Sequence, residues 1–276
     1  MMNTVLITGA FGGMGNAAAK AFAEAGYYVF ALDKKTGEAE KNICPIEADV
    51  TNEESVKNAV QRVHGSGKRL DMILHFAGIY MLDSLVETDE QGIERAFSIN
   101  VLGAMRINRL FLPLLNKGGK IVITTSELAP LDPLPFTGLY AITKSALDKY
   151  AYSLRMEVQL LDISVSVLRP GAVDTGMLGV STAALEKFCE KTQLYTCNAA
   201  RFRKIVDGVE SKKVPPQKVA KIALKIAKDK HPRQVYTVNR NPLLLILNVL
   251  PTRWQTWIIK KVLSVPTSGE KTHEGR

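Results

Sequence analysis

The chain has 276 residues, 46% of them hydrophobic, and a formal net charge of +9. That length and apolar content exclude a disordered chain or a disulfide-held miniature, and suit one domain with an extension. The charge is uneven: residues 212–276 hold 14 Lys and Arg against 3 Asp and Glu, leaving 22 against 24 in residues 1–211. A near-neutral body excludes a generally nucleic-acid-binding fold and points to a local basic surface near the end.

Residues 3–8 form a short apolar run rich in β-branched residues, which reads as a strand. Nothing here has the basic start and long apolar stretch of a signal peptide. The run enters Thr8-Gly9-Ala10-Phe11-Gly12-Gly13-Met14-Gly15, then an alanine-rich helical stretch over 16–25. A second apolar run, 27–32, is closed by Asp33. Strand, glycine turn, helix, strand and acid form the context in which a glycine-rich loop binds a dinucleotide. Glycines let backbone approach a pyrophosphate, the helix start offers unpaired N–H groups, and the acid accepts hydrogen bonds from ribose hydroxyls.

The alternation continues. Residues 43–48 read as a strand ending in Asp49-Val50, and Thr51 or Asn52 can cap a helix that runs through Val63. A strand over 70–75 leads into His75-Phe76-Ala77-Gly78. One long helical region spans about 89–115, with Asn100 awkwardly in its interior, and Gly118-Gly119 breaks it. A strand over 120–125 delivers Ser126, and the loop 127–137 carries three prolines. A helix over 138–161 holds Tyr140 and Lys144, and a strand over 163–168 ends in Arg169-Pro170-Gly171. Repeated strand–helix units predict an α/β, doubly wound parallel sheet of the Rossmann type in a single domain with a C-terminal extension. Ligands in such sheets sit at strand carboxyl ends. The glycine loop, Asp33, Asp49, Ala77-Gly78, Ser126 and Pro170-Gly171 all fall there.

Tyr140 and Lys144 are four apart, so in a helix they share one face. A tyrosine titrates near ~10, and a neighbouring ammonium pulls that value down toward use at neutral pH. Ser126 can donate a hydrogen bond to a carbonyl or alkoxide in the same pocket. Together these groups can move a proton on and off a secondary alcohol. Taken alone, the same spacing also fits an ordinary amphipathic helix. Leu131, Pro133, Leu134, Pro135 and Phe136 before the helix, with Val173, Met177 and Leu178 after the Pro-Gly turn, predict an apolar pocket. Cys44, Cys189 and Cys197 form no metal or disulfide pattern, so no metal is expected and a reducing, cytoplasmic compartment is the default.

Over about residues 3–239 the sequence resembles the short-chain dehydrogenase/reductase family, in look nearest its hydroxysteroid and retinol dehydrogenase branch. Thr8-Gly9, Gly13 and Gly15 match the family's cofactor loop, in which Phe11, Gly12 and Met14 also lie. Asp49-Val50 matches its adenine-pocket pair, and Pro170-Gly171, Val173 and Thr175 the stretch beside the nicotinamide. Ser126, Tyr140 and Lys144 match the catalytic serine, tyrosine and lysine, and Asn100 the asparagine that completes the set. The resemblance implies hydride transfer between a nicotinamide cofactor and an alcohol or ketone, here a lipophilic one such as a steroid, retinoid or acyl chain. It also implies a homodimer or homotetramer. A departure is His75-Phe76 before Ala77-Gly78, where the family places two asparagines; the polar brace of the central strand is expected to be lost. Asp33 favours NAD, while Lys34 and Lys35 leave NADP open. A non-catalytic dinucleotide-binding or membrane-surface scaffold on the same fold is the alternative function.

The domain is expected to span 1–240, with a substrate lid over about 176–214 and an extension over 241–276. In the extension an apolar run over 243–250 is too short to cross a bilayer. After Pro251, Trp254, Trp257, Ile258 and Val262 recur at helical spacing among Arg253, Lys260 and Lys261. This stretch, 242–263, reads either as a cover over the pocket or a subunit contact, or as an interfacial helix at a membrane. The polar end, 266–276, is expected to be disordered.

Overall fold

The computed structural model describes residues 2–210 and 212–264, with the side chains of 177–183, 197 and 207–210 outside the description. Met177, Leu178 and the tail expected to be disordered therefore lie outside it. The first half builds β1 (Thr4–Thr8), α1 (Gly13–Glu24), β2 (Tyr28–Asp33), β3 (Ile43–Glu47), α2 (Glu53–Gly65), β4 (Leu70–His75), α3 (Glu90–Phe97) and α4 (Gly103–Phe111). There follow β5 (Leu115–Thr124), α5 (Gly138–Val158), β6 (Ser164–Pro170), α6 (Gly176–Lys191), α7 (Thr196–Glu210), α8 (Pro216–Lys228), β7 (Val235–Val238), α9 (Pro242–Val249) and α10 (Thr252–Ser264).

All seven strands pair in parallel, in the order β3-β2-β1-β4-β5-β6-β7. The doubly wound sheet expected from the sequence is present. Its central strands are buried on both faces, which is why they read as nearly continuous apolar runs. Leu6 joins Phe30, Leu32 and Ile73 beneath α2, α4 and α5, whereas Val5 and Ile7 join Val29, Ala31 and Met72 beneath α1 and α8. Helix α2 starts at Asn52, whose side chain accepts the Ser55 N–H at 2.9 Å. The chain order reverses between β1 and β4, and the crevice of such a sheet opens at that switch point.

The expected long helix over 89–115 is instead two helices joined by a π-helical turn, Ser98–Leu102, and closed by a 3₁₀ turn, Leu112–Leu114. Asn100 sits in the π turn. The wider turn frees the side chain to point inward, which explains a polar residue that a regular helix would tolerate poorly. Gly118 and Gly119 lie within β5 rather than before it. Gly118 has φ 78°, and the β4–β5 register shifts between Leu70 and Met72, so the pair marks an irregularity in the strand.

A third apolar cluster lies above the sheet. Phe136 packs against Phe188 (ring centroids 4.7 Å), Tyr195 (5.2 Å) and Phe202 (5.3 Å), with Leu82, Leu185 and Leu263 around them. It holds α6, α7 and α10 onto the loop that precedes α5.

Candidate active site

The glycine turn follows β1 directly. Gly9 has φ +65°, and a Cβ there would stand 2.6 Å from the Ala77 nitrogen. A Cβ on Gly15 would stand 2.0 Å from the Gly9 carbonyl oxygen. Only glycine permits both the left-handed turn and the approach of α1 to it. The start of α1 thereby faces a cleft of about 1170 Å³. Gly9, Phe11, Gly12, Gly13, Met14, Gly15, Asp33, Asp49, Val50, Ala77, Gly78 and Thr175 all line it. Thr8 lies beneath, where its hydroxyl accepts the Ala77 N–H at 3.3 Å. Asp33 accepts the N–H of Phe11 at 2.9 Å and that of Lys34 at 2.7 Å. The Lys34 ammonium turns instead to Asp49, at 2.7 Å. Burial pulls the Asp49 carboxyl upward, but Lys34 and the Thr51 hydrogen bonds outweigh it and hold it at about 2.

A second, smaller cavity of about 170 Å³ adjoins the cleft, and the two share Met14, Gly78, Tyr80 and Thr175 as walls. Ser126, Tyr140 and Lys144 meet here with Pro170, Gly171, Val173, Leu134 and Leu244. Of the loop residues expected in the apolar wall, Leu134 takes part, Phe136 packs in the third cluster, and Leu131, Pro133 and Pro135 do not line the cavity. Ser126 is delivered by the end of β5 and hydrogen-bonds Tyr140. Helix α5 stacks Tyr140 and Lys144 on one face, with the Lys144 nitrogen 5.8 Å from the Tyr140 ring centroid. Asn100 stands behind them. Its oxygen accepts the Ile79 N–H at 2.8 Å, and its amide donates to the Ile79 carbonyl and to Thr143 Oγ1, both at 3.0 Å. The position a Cβ would take on Gly78 is 3.2 Å from Asn100 Oδ1 and 3.4 Å from Lys144 Nζ, so Gly78 keeps the two residues within one small space.

The electrostatics correct one expectation. The net shift at Tyr140 is upward, opposite to the expected lowering. Burial pushes the Tyr140 hydroxyl up to about 12, the Ser126 hydrogen bond pulls back, and the charge of nearby Glu127 pushes further up. Lys144 is itself driven down to about 8 by burial, and its amine donates to the Thr124 carbonyl at 3.2 Å rather than to the phenol. At neutral pH Tyr140 is thus a neutral proton donor and Lys144 a cation.

Two further groups had no clear signal in the sequence. Glu127 is buried beside Ser126, and its Oε2 accepts the Asn241 N–H at 2.7 Å, tying the loop after β5 to the start of α9. Thr124 Oγ1 is buried in the cavity wall without a hydrogen-bond partner among the described residues.

The brace of the central strand is also present, contrary to expectation. His75 Nε2 meets Asn108 Oδ1 at 2.8 Å, and the Asn108 amide donates to the Tyr150 hydroxyl at 3.1 Å, linking β4 to α4 and α5. Burial pulls His75 down to about 4. An unfolded histidine titrates near ~6.5, so below that the unfolded chain binds the proton more tightly and the fold loses stability as pH falls toward about 4. The His75 contribution lost between pH 7 and pH 5 should be about 2 kcal/mol. His75→Asn should flatten that part of the profile in urea midpoints measured at both pH values. Parallel profiles for parent and variant would contradict the assignment.

The cleft accommodates a nicotinamide dinucleotide: a glycine cradle at a helix start for phosphates, a carboxylate at the end of β2 for a ribose, and the reactive trio at its far end. Independent comparisons agree. A family profile described as short chain dehydrogenase matches residues 3–186. A 3-ketodihydrosphingosine reductase from Bacteroides thetaiotaomicron is 27% identical over 252 residues, covering 91% of this chain and 92% of that protein. Mouse estradiol 17-beta-dehydrogenase 2 is 31% identical over 187 residues, 63% of this chain and 49% of that one. A crystal structure of a short-chain dehydrogenase from Streptomyces avermitilis superposes with a TM-score of 0.78 at 22% identity, over 96% of this chain and 98% of that one, which bears on the fold. With a family match over two thirds of its length, the glycine cleft and the Ser126–Tyr140–Lys144 cavity beside it, the chain belongs to the short-chain dehydrogenases, a family of NAD(P)-dependent oxidoreductases.

Proposed function

We propose that the protein interconverts a lipophilic ketone and its secondary alcohol, with Tyr140 as acid and base. The observation that carries this reading is the meeting of Ser126, Tyr140 and Lys144 in a mostly apolar cavity that opens into the glycine cleft. Gly9 to Gly15, Asp33, Asp49, Val50, Ala77 and Gly78 would hold the dinucleotide, with Pro170, Gly171, Val173 and Thr175 toward its nicotinamide end. The bound nicotinamide supplies or accepts the hydride. In the reductive direction, Ser126 and Tyr140 donate hydrogen bonds to the carbonyl oxygen, and the Tyr140 proton passes to the alkoxide as it forms. The Lys144 ammonium stabilises the phenolate left behind, and Asn100 fixes the backbone at Ile79 and the α5 residue Thr143. Relatives named for 3-ketodihydrosphingosine and for estradiol support a lipid-like substrate class. Turnover of a panel of hydrophobic ketones and alcohols tests the reading; activity confined to sugars or other polar alcohols would reject it.

The same reading assigns NAD as the favoured cofactor. Asp33 would bond ribose hydroxyls and repel a 2′-phosphate, and Lys34, the neighbouring cation, is paired with Asp49. Asp33→Ala should lower kcat/KM for NAD about 10- to 100-fold, the value of hydrogen bonds to a charged group, and shift preference toward NADP. Steady-state kinetics with both cofactors check this, and a clear NADP preference in the parent would refute it. A homodimer or homotetramer is proposed through exposed apolar residues of α4, α5 and the π turn before α4, among them Leu102, Met105, Tyr152 and Met156.

A further inference from the structure

Residues 242–264 contain no Asp or Glu and three bases, Arg253, Lys260 and Lys261. They fold as α9 and α10, joined at Pro251. On α9, Leu243, Ile246 and Val249 recur every third residue and are 69%, 63% and 85% exposed. On α10, Trp254 and Trp257 lie one turn apart and are 63% and 59% exposed, with the Lys261 nitrogen 5.6 Å above the Trp257 ring.

The opposite side of these helices is anchored. Gln255 and Leu263 are buried, Gln255 donates to the Leu250 carbonyl at 2.9 Å, and Asn198 of α7 donates to the Leu263 carbonyl at 2.9 Å. Leu244 turns into the wall of the reaction cavity. The stretch therefore has two faces, one packed on the body and one of aliphatic and indole groups turned outward. The outward groups are not needed for the packing of the inward ones.

We propose that the outer face of α9 and α10 docks on an anionic phospholipid bilayer, and that substrate passes between bilayer and cavity beside Leu244. Helices of eight and thirteen residues do not span a bilayer, and no helix among the described residues is long and apolar enough to do so. Lying in the interface suits them: aliphatic groups enter the acyl boundary, indoles sit at headgroup level, and lysine and arginine meet anionic phosphates. A second copy of the chain fits this face poorly. A symmetric contact would bring the three bases toward their own copies with no acid of this stretch to pair them. Asp132, whose N–H bonds Asn248 at 2.6 Å, adds one opposing charge beside α9. The cavity, at about 170 Å³, holds little more than one ring, since a cavity of about 150 Å³ takes benzene. A longer lipophilic molecule must extend past its wall, part of which is α9. Passage of substrate rests on the substrate class proposed above; docking does not.

The test is sedimentation of the full chain with vesicles of phosphatidylcholine alone or mixed with phosphatidylserine, at low and high salt. Binding should need phosphatidylserine and weaken with salt. Arg253→Gln, Lys260→Gln and Lys261→Gln together should lower the partition on the order of a hundredfold, at about fivefold for each base. Trp254→Glu with Trp257→Glu should abolish binding, slow turnover of a long-chain ketone delivered in the vesicles, and leave turnover of a short water-soluble ketone unchanged. Three results would overturn docking: a parent that stays in the supernatant with anionic vesicles at low salt, a double glutamate variant that still sediments, or a parent oligomer that ignores vesicles and falls apart in that variant. The last would assign the face to a second copy. Vesicle binding without turnover of any lipophilic carbonyl compound would uphold docking and reject the substrate reading instead.

Discussion

Tyr140→Phe should lower turnover by about two to four orders of magnitude while dinucleotide affinity stays within about twofold, because the variant loses general acid–base catalysis and little else. The ring would remain packed edge-on against Tyr80, with centroids 4.5 Å apart. Only the hydroxyl disappears, and with it the hydrogen bond to Ser126, worth about 1 kcal/mol. That is small beside the 5–15 kcal/mol typical of a folded domain, so the loss of rate should not reflect unfolding. With its hydroxyl held at about 12, Tyr140 keeps its proton throughout the neutral range, and Lys144, at about 8, keeps its charge below that, so the deficit in carbonyl reduction should be similar from pH 6 to pH 7. Single-turnover rates and fluorescence titration of the dinucleotide would separate the two effects. A variant within tenfold of the parent rate would remove Tyr140 from the proposed mechanism.

Much of the site was legible in the sequence because its pieces are fixed by short-range rules. The glycine turn announces itself between a β-branched run and an alanine-rich helix, and Asp33 closes the next run, where a parallel strand must end. The four-residue interval between Tyr140 and Lys144 fixes their shared helix face whatever surrounds them. Burial is what the interval cannot report. The sign of the Tyr140 shift depends on how completely the 127–137 loop, the sheet and their neighbours enclose the pair, and that is decided by contacts distant in sequence.

His75 illustrates the same limit. As a lone histidine where the family places an asparagine, it suggested a lost brace. Its partners, Asn108 and, through it, Tyr150, lie 33 and a further 42 residues along the chain, and nothing local marks them as neighbours. Asn100 is ill-suited to a regular helix interior, but the π turn that accommodates it has no composition cue. Glu127 reads from the sequence as a loop residue because its partner, Asn241, is 114 residues away. In the C-terminal stretch the sequence leaves three readings open: pocket cover, subunit contact and interfacial helix. The fold places Leu244 and Leu263 inward and Trp254 and Trp257 outward, so one face is packed on the body and the other carries the docking proposed above.

Replacing Lys144 with methionine should cut turnover by about two to four orders of magnitude, like the loss of Tyr140, and yet make the protein more stable. Lys144 is buried, and its ammonium is driven from the ordinary lysine value of 10.5 down to about 8. Holding that charge inside costs the fold about 3 kcal/mol at pH 7. Methionine matches much of the volume and carries no charge. It gives up the hydrogen bond to the Thr124 carbonyl, worth about 1 kcal/mol, so the net gain should be about 2 kcal/mol, or roughly 3 to 4 °C in Tm for a chain of this size. The pH dependence identifies the cause. Between about 8 and 10.5 the unfolded chain keeps the lysine proton while the folded one releases it, so the parent gains stability as pH rises through that window and the variant does not. Tyr140, held at about 12, acts in the opposite direction once unfolded tyrosine begins to ionise near ~10, so the comparison belongs between pH 8 and pH 10. The stability difference between the two proteins should narrow by about 2 kcal/mol across that interval in urea unfolding. A variant less stable than the parent at pH 7 would mean that the buried ammonium is compensated by its surroundings, and near-parental turnover would separate Lys144 from the chemistry proposed for Tyr140.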